Sequence, residues 1–502
     1  MKTTGSFPRP MRLLAAWGIA SASALPLAGH RGWYCGLLTA ACFFLWGACL
    51  ADAGFKKLVR PASLFFLFWF LQAFFSGPGL WIYHALGEGR EQPFGNPFFL
   101  HPEVTARILW LISAGLGLAW AVLRRFPLGG KEPRWRLEPD VWQCWVWFLC
   151  VFFFYLLGAV QAEWFTARAK VGSYLNPGSV LYFVAGLFAL VAPFFFLSGM
   201  LFSRVQTPFR RLALSSFLLT GMGAMVLTGA RVYVAGATLV FLTGLFWEGS
   251  SRRGGIFLAA IFAALMLLLP ATHALRGAKT PEGSEFRELP VAEKIRRAPG
   301  ILFSADGRQR IRSGFLGMSY RSANVYSQEA IDQITEKGEP KIGNRNFGRL
   351  AGLFVPRILW RDKSPVDDGP ERMADRLGRP RDDRFNSAPL GLTADLLERY
   401  GPVGTLMASF FLGLGFGGTG WILGRCLGAL PAGLLMSPVF LAMPNISDAS
   451  LLALINRLTY QNLRDFVLVG GWLAIGAILL LLSPKRPTSS KSQPKVNAVH
   501  LF

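Results

Sequence analysis

Long apolar runs alternate with short polar loops along most of this chain. About 18 to 20 uncharged residues are enough to cross a bilayer, and lipid cannot satisfy free backbone groups, so each such run is expected to be a helix. About twelve spans are predicted, at 13–29, 33–52, 62–85, 104–123, 141–161, 179–203, 212–229, 232–248, 255–275, 402–424, 427–446 and 466–483. The pattern therefore predicts an all-α integral membrane protein.

The short loops carry the signal for orientation. Basic residues follow every even-numbered span, and cytoplasmic loops are where lysine and arginine concentrate. These residues are Lys56, Lys57 and Arg60; Arg124, Arg125, Lys131, Arg134 and Arg136; Arg204, Arg210 and Arg211; Arg252 and Arg253; Arg425; and Lys485 and Arg486. Both termini are therefore predicted to be cytoplasmic.

One polar segment interrupts this pattern. Residues 276–401, between spans 9 and 10, are too long to be a mere connection and face the periplasm in this topology. The loop is predicted to be mainly helical, with helices over 320–337 and from Pro370 to about Gly378. The expected organisation is transmembrane helices 1–9 over 1–275, the periplasmic loop over 276–401, transmembrane helices 10–12 over 402–484, and a disordered cytoplasmic tail over 485–502.

Composition supports this assignment and excludes several functions. Only 16% of the residues are charged, against about 25% in soluble proteins. The net charge of +23 would suggest nucleic-acid binding in a soluble protein, but here much of it lies in short cytoplasmic loops, so no nucleic-acid partner is expected. The six cysteines lie in or beside apolar runs without metal-ligand spacing. We therefore expect no disulfide, no metal and no other cofactor.

Ionisable residues avoid the middle of the predicted spans. Those at the outer ends are Glu163, Arg231, His273, Arg276, Glu398 and Asp448. Ion-coupled transporters usually place such groups at mid-membrane, so this distribution favours chemistry at the outer interface. Arg231 joins two spans with almost no loop, which predicts a tight external turn. A guanidinium there could hold a phosphate through two hydrogen bonds, whereas the alternative is an anchor that snorkels to lipid phosphates.

Two predicted periplasmic loops place cations near aromatic residues. The third loop contains Trp164, Phe165, Arg168, Lys170 and Tyr174, and the fifth contains Arg345, Arg349, Arg357, Arg361 and Lys363 around Pro356 and Trp360. Aromatic rings stack on sugars and arginines bind diphosphates, so these loops are candidate binding surfaces. Taken singly, each residue is equally compatible with a solvated charged face.

The segment 389–404 leads from the polar loop into span 10. Thr393 can cap a helical turn that bears Asp395, Glu398 and Arg399, and Gly401-Pro402 then restarts the chain as a membrane helix. Partial burial of Glu398 would raise its pKa toward the range of a general base. The alternative is that Glu398 is a structural partner of a nearby arginine.

Three stretches resemble the Wzy-type O-antigen and exopolysaccharide polymerases, which are related to the O-antigen ligases. Residues 228–231 are similar to the family's Thr-x-Ser-Arg turn, with Ala230 in place of Ser. Residues 355–365 are similar to its Pro-Arg, aromatic, Lys-Pro stretch, interrupted by Ser364. Residues 391–404 are similar to its Gly, Glu, aromatic, Gly-x-x-Gly run before a span. Family members also use cationic third and fifth periplasmic loops.

The resemblance implies a metal-independent glycosyltransferase of the bacterial inner membrane that acts at the periplasmic face. The donor would be a glycan chain on a polyprenyl diphosphate, and the acceptor a second lipid-linked repeat unit. The implied diphosphate- and substrate-binding residues are Arg231, Arg168, Lys170, Arg357, Arg361, Lys363, Trp360 and Arg276, and the implied base candidates are Glu398, then Asp395 and His273.

The resemblance further implies a chain-length regulator and a flippase as pathway partners, besides the membrane lipids. Two alternative functions remain open at this point. One is a transferase like the O-antigen ligases, although residues 277–400 lack the histidine that ligases typically carry in this loop. The other is a flippase or exporter of lipid-linked oligosaccharide without catalysis, which the absence of repeated halves disfavours.

Overall fold

The described part of the chain is entirely helical apart from its connections. In the computed structural model, the described residues are 101–124, 145–146, 148–149, 151–153, 191–204, 207–227, 231–246, 271–272, 274–275, 278, 286, 289, 291–311, 325–352, 368–376, 390–427, 429–442, 450–456, 467, 469–471 and 474. Their helices include α1 (Pro102–Arg124), α2 (Val191–Arg204), α3 (Pro208–Leu227), α4 (Arg231–Phe246), α5 (Val291–Phe303), α6 (Val325–Lys337), α7 (Gly348–Ala351), α8 (Gly369–Arg376), α9 (Leu392–Leu427), α10 (Ala429–Ala442) and α11 (Leu451–Asn456).

By length and composition, α1 and α9 are the two described helices that could cross a membrane. The predicted span 104–123 lies within α1. Gly401 divides α9, because its φ of 66° and ψ of −171° are not helical and belong to a region that only glycine readily adopts. Pro402 then opens a second helical stretch, since its fixed φ suits a first helical position. This restart at Gly401-Pro402 agrees with the sequence prediction, and the stretch from Pro402 to Leu427 is about 39 Å long.

Small residues allow α1 and α9 to pack closely. A Cβ atom on Gly115 would lie 2.4 Å from the carbonyl oxygen of Leu406, and one on Gly413 would lie 2.6 Å from the Cβ of Ala119. Each helix therefore presents a small residue where the other comes nearest. Such contacts are typical of helices in membranes, where close backbone approach replaces the hydrophobic effect as the source of association.

The opposite face of α9 is apolar and exposed. Val403, Met407 and Phe411 recur every four residues, and their exposed fractions are 75%, 51% and 61%. Residues four apart lie on one face of a helix, so these side chains form a continuous apolar stripe. A stripe of this kind suits contact with lipid.

The polar segment before α9 folds onto the first part of that helix, residues 392–400. The Ser327 and Thr393 hydroxyls lie 2.6 Å apart, which joins α6 to α9. The amides of Ile342 and Gly343 donate to the carbonyls of Glu398 and Arg399 at 3.2 and 3.0 Å. These bonds satisfy carbonyls that the break at Gly401 would otherwise leave open, and they fix the segment against the end of this helical stretch.

Candidate functional site

The residues predicted to be catalytic at the start of α9 lie in a buried cluster of charges. Asp395 is fully buried and accepts hydrogen bonds from three donors. Its Oδ1 accepts from a guanidinium nitrogen of Arg372 and from Nε of Arg399 at 2.9 Å. Its Oδ2 accepts from the backbone amide of Leu451 at 2.6 Å. Asp395 therefore joins α8, α9 and α11.

Glu398 lies one helical turn further along α9 and is 7% exposed. Its Oε2 accepts from Nη1 of Arg372, and its Oε1 accepts from Nη2 of Arg376 at 2.8 Å. Both carboxylate oxygens are thus engaged by guanidinium groups of α8. This arrangement matches the structural alternative considered for Glu398 from the sequence.

Arg399 is the most deeply buried cation of the cluster, with 1% of its surface exposed. Its Nη2 donates to both oxygens of Asp368, at 2.8 and 3.1 Å, and its Nη1 donates to the carbonyls of Gly343 and Arg345, at 3.2 and 2.9 Å. The ring of Phe347 lies 5.4 Å from the guanidinium carbon, within the range of a cation–π contact. Arg399 thereby holds the segment 343–347 in place.

The cluster is electrically balanced at its centre, where three arginines face three carboxylates. Burial acts to raise the pKa of Asp368, but the charges of Arg372 and Arg399 and a hydrogen bond from Asn346 outweigh it and lower that pKa. Burial acts to lower the pKa of Arg372, but the charges of Asp395, Asp368 and Glu398 outweigh it and raise that pKa. Each charge therefore depends on its partners, because a buried charge alone is costly.

Two further ion pairs surround this centre. Arg376 also binds Glu339 at 2.7 Å, and Arg349 binds Glu371 at 3.0 Å. The second pair is more exposed, with 23% of the Arg349 side chain and 40% of the Glu371 side chain accessible. Together these pairs fasten α8 to the segment 339–349.

Two exposed cations lie beside the cluster. Lys341 passes over the break in α9, with its Cε 2.7 Å from the position of a Cβ on Gly401. Arg345 is exposed on the segment that Arg399 holds. Neither the Lys341 nor the Arg345 side chain forms an ion pair with another described residue. Both are therefore available to an anion at the end of the membrane-length helix.

This arrangement is better suited to positioning than to proton transfer by its carboxylates. Every carboxylate oxygen of Asp395 and Glu398 accepts at least one hydrogen bond from an arginine or from the backbone, so the two residues hold these groups in place. In the described part of the chain, no group of three His, Cys, Asp or Glu side chains could hold a metal ion. The cluster is suited to holding the nearby cations in fixed positions.

Most of the other site residues predicted from the sequence lie outside the described part of the chain. Arg231 forms the start of α4, and three residues separate it from the end of α3 at Leu227. Its backbone position alone is described. The predicted residues that lie outside the described residues are His273, Arg168, Lys170, Arg276, Arg357, Trp360, Arg361 and Lys363. Thr393, predicted as a cap, has its hydroxyl against Ser327.

Comparison with known proteins adds no relative: no family model, no curated protein and no solved structure matches this chain. A functional assignment therefore rests on the residues themselves and on their geometry.

The sequence interpretation did not single out Asp368, Arg372 and Arg376. These three residues recur every four positions and form one charged stripe on and before α8. Asp395 and Arg399 form a second pair at the same spacing on α9. The spacing could have indicated two charged faces, but the contact between them, across more than twenty residues of chain, is a tertiary feature.

Proposed function

We propose that this protein is an oligosaccharide repeat-unit polymerase of the bacterial inner membrane. It would transfer a glycan chain from polyprenyl diphosphate to a second lipid-linked repeat unit at the periplasmic face. The observation that carries the proposal is the position of the buried charge cluster. It fastens a polar segment to the point at which α9 becomes a membrane-length helix, next to Gly401.

The topology proposed with this function has about twelve transmembrane helices and both termini in the cytoplasm. The segment 276–401 then forms the large periplasmic loop between helices 9 and 10. The apolar stripe along α9 supports this placement, because its exposed side chains from Val403 onward suit an apolar solvent. In the proposed topology, the charge cluster is at the outer membrane interface, where the diphosphate of a polyprenyl carrier would lie.

The proposed reaction forms a bond between an acceptor hydroxyl oxygen and the anomeric carbon of the donor. The bond from that carbon to the diphosphate oxygen breaks, and the diphosphate leaves with the electron pair. Cations that face the departing diphosphate lower the barrier. Lys341 and Arg345 are suited to this role, in addition to the predicted Arg231, Arg168 and Arg357 or Arg361. Both are exposed, and Lys341 lies next to Gly401, which supports the assignment.

The proton of the acceptor hydroxyl requires an acceptor during the reaction. Glu398 and Asp395 are proposed here as positioning residues, because their oxygens already accept hydrogen bonds from arginines. Of the three candidates for a base, this leaves His273.

Purified, full-length protein in proteoliposomes tests the function directly. Lipid-linked repeat units of known length are supplied, and the glycolipid products are sized. A ladder of increasing length is expected, and it should form with a chelator present. Transfer of single units to a different acceptor would instead indicate a ligase, and movement across the bilayer without a new glycosidic bond would indicate a flippase.

A matched pair of variants tests the role of the exposed cations. Lys341→Gln and Arg345→Gln should each slow elongation without loss of folded protein, since neither side chain belongs to the buried cluster. Lys337→Gln is a suitable control, because it removes a lysine from the end of α6 in the same segment. Equal rates for all three variants would exclude Lys341 and Arg345 from the site.

A further inference from the structure

Helix α5 buries a charged side chain and exposes large apolar ones, although its inward face also packs Ala298, Ile301 and Leu302 against the core. Lys294 is fully buried, whereas Ile295 and Phe303 are 58% and 80% exposed. A surface helix in water normally turns its apolar stripe inward and its charges outward. The outward face of α5 is therefore unsuited to water.

The exposed side chains of α5 form one face. At about 100° per residue, Ala292, Ile295, Pro299 and Phe303 lie within an arc of about 80°, and all four are exposed. Arg296 borders this face, and 73% of its side chain is accessible. The exposed fractions of Ile295 and Phe303 are similar to those of the outward stripe of α9, which suggests the same apolar surroundings.

The chain also limits how far α5 can lie from the preceding helical residues, 271–275. The amide of Ala278 donates to the carbonyl of Leu275 at 3.2 Å, and the amide of Phe286 donates to the carbonyl of Ala278 at 2.9 Å. Phe286 therefore lies directly beside Ala278. Four residues separate Phe286 from Val291, the start of α5, so the five Cα–Cα steps between these two residues span at most about 18 Å. Because 271–275 end a predicted span, α5 starts close to the membrane surface.

The charge of this region fits an anionic surface. Residues 291–311 carry five basic side chains and two acidic ones. Exposed Arg296 and Arg308 accompany the apolar face, and a basic helix with an apolar face is typical of binding at the interface of anionic lipids. The long stem of Arg296 can follow the apolar face while its guanidinium reaches the phosphates.

We propose that α5 is an interfacial helix, docked on the outer leaflet of the membrane through Ile295 and Phe303 and held there by anionic phospholipid. The helix would keep the polar segment close to the bilayer, independently of the reaction that the protein catalyses. The surface that α5 contacts is the lipid bilayer itself. The apolar face, the flanking arginines and the short connection to residues 271–275 all favour a bilayer.

Photo-crosslinking of the full-length protein tests this proposal without any substrate. Phe303 is replaced by the aromatic photoreactive residue p-benzoylphenylalanine, and the protein is reconstituted in nanodiscs of phosphatidylcholine with or without phosphatidylglycerol. Mass spectrometry should find phospholipid adducts at position 303, in higher yield when phosphatidylglycerol is present. The same substitution at exposed Gln309 should give none, and at Phe411 it should give adducts that do not depend on lipid charge.

The variant Arg296→Gln tests the electrostatic part. In nanodiscs that contain phosphatidylglycerol, it should weaken docking of α5, read as the yield of adducts at position 303, by about fivefold, the factor expected for one basic residue at an anionic surface. The yield in phosphatidylcholine alone should not change. Adducts of position 303 to a second copy of the chain or to another protein would overturn the proposal. The absence of lipid adducts at position 303, the result expected for position 309, would also overturn it. Neither outcome would affect the polymerase assay, so the two proposals fail separately.

Discussion

Removal of Arg372 should destabilise the protein severely, because this residue serves three buried carboxylates at once. In Arg372→Gln, Asp395, Glu398 and Asp368 each lose a guanidinium partner. The centre of the cluster would then hold three carboxylates against two arginines. Breaking a buried ion pair by removing one partner costs about 3–5 kcal/mol. The free energy of unfolding should fall by about that amount, as measured by denaturant titration of the reconstituted protein with tryptophan fluorescence.

Arg349→Gln provides the matched control, since it makes the same change in the same segment. Its partner Glu371 is 40% accessible along its side chain, and pairs exposed to this degree contribute about 0–1 kcal/mol. A second variant, Arg372→Gln with Glu398→Gln, should recover part of the loss, because one uncompensated charge disappears. If Arg372→Gln and Arg349→Gln unfolded at the same denaturant concentration, the cluster would not be the structural centre argued here.

Three further predictions concern single positions. Gly401→Ala should lower the free energy of unfolding by about 1–3 kcal/mol, because φ of 66° disfavours a side chain and Lys341 occupies the space; Gly415→Ala, with open space around it, should not, and equal effects would contradict this reasoning. Burial lowers the pKa of Lys294 to about 8 from 10.5, so the folded state releases this proton first and stability should rise between pH 8 and 10.5. In Lys294→Met that rise should vanish, and stability at pH 7 should increase by about 3 kcal/mol at ~1.4 kcal/mol per pKa unit; a pH profile unchanged by the substitution would refute the assignment. Arg231→Ala should reduce polymer formation about a hundredfold to a thousandfold at normal protein level, by analogy with loss of one oxyanion donor, and Arg231→Lys should restore little, since lysine cannot form the two-pronged contact; full-length polymer from Arg231→Lys would refute that contact.

Local features of this protein could be predicted from the sequence. The span 104–123 lies within α1, and the restart at Gly401-Pro402 was expected from the residues alone. The helix predicted from Pro370 corresponds to α8, which ends at Arg376. Hydrophobic runs, proline and glycine act through the backbone next to them, so their effect can be read without knowing the fold.

The roles of the charged residues were decided by tertiary structure. Sequence alone left Glu398 open as either a base or an arginine partner, and the positions of Arg372 and Arg376 engage both of its oxygens. The burial of Lys294 and the exposure of Phe303 are likewise consequences of how α5 is oriented. The role of a charged residue near a membrane depends on its neighbours, because burial and ion-pair partners set the free energy of its charged form. Those neighbours come from segments far apart in the chain, so only the fold brings them together.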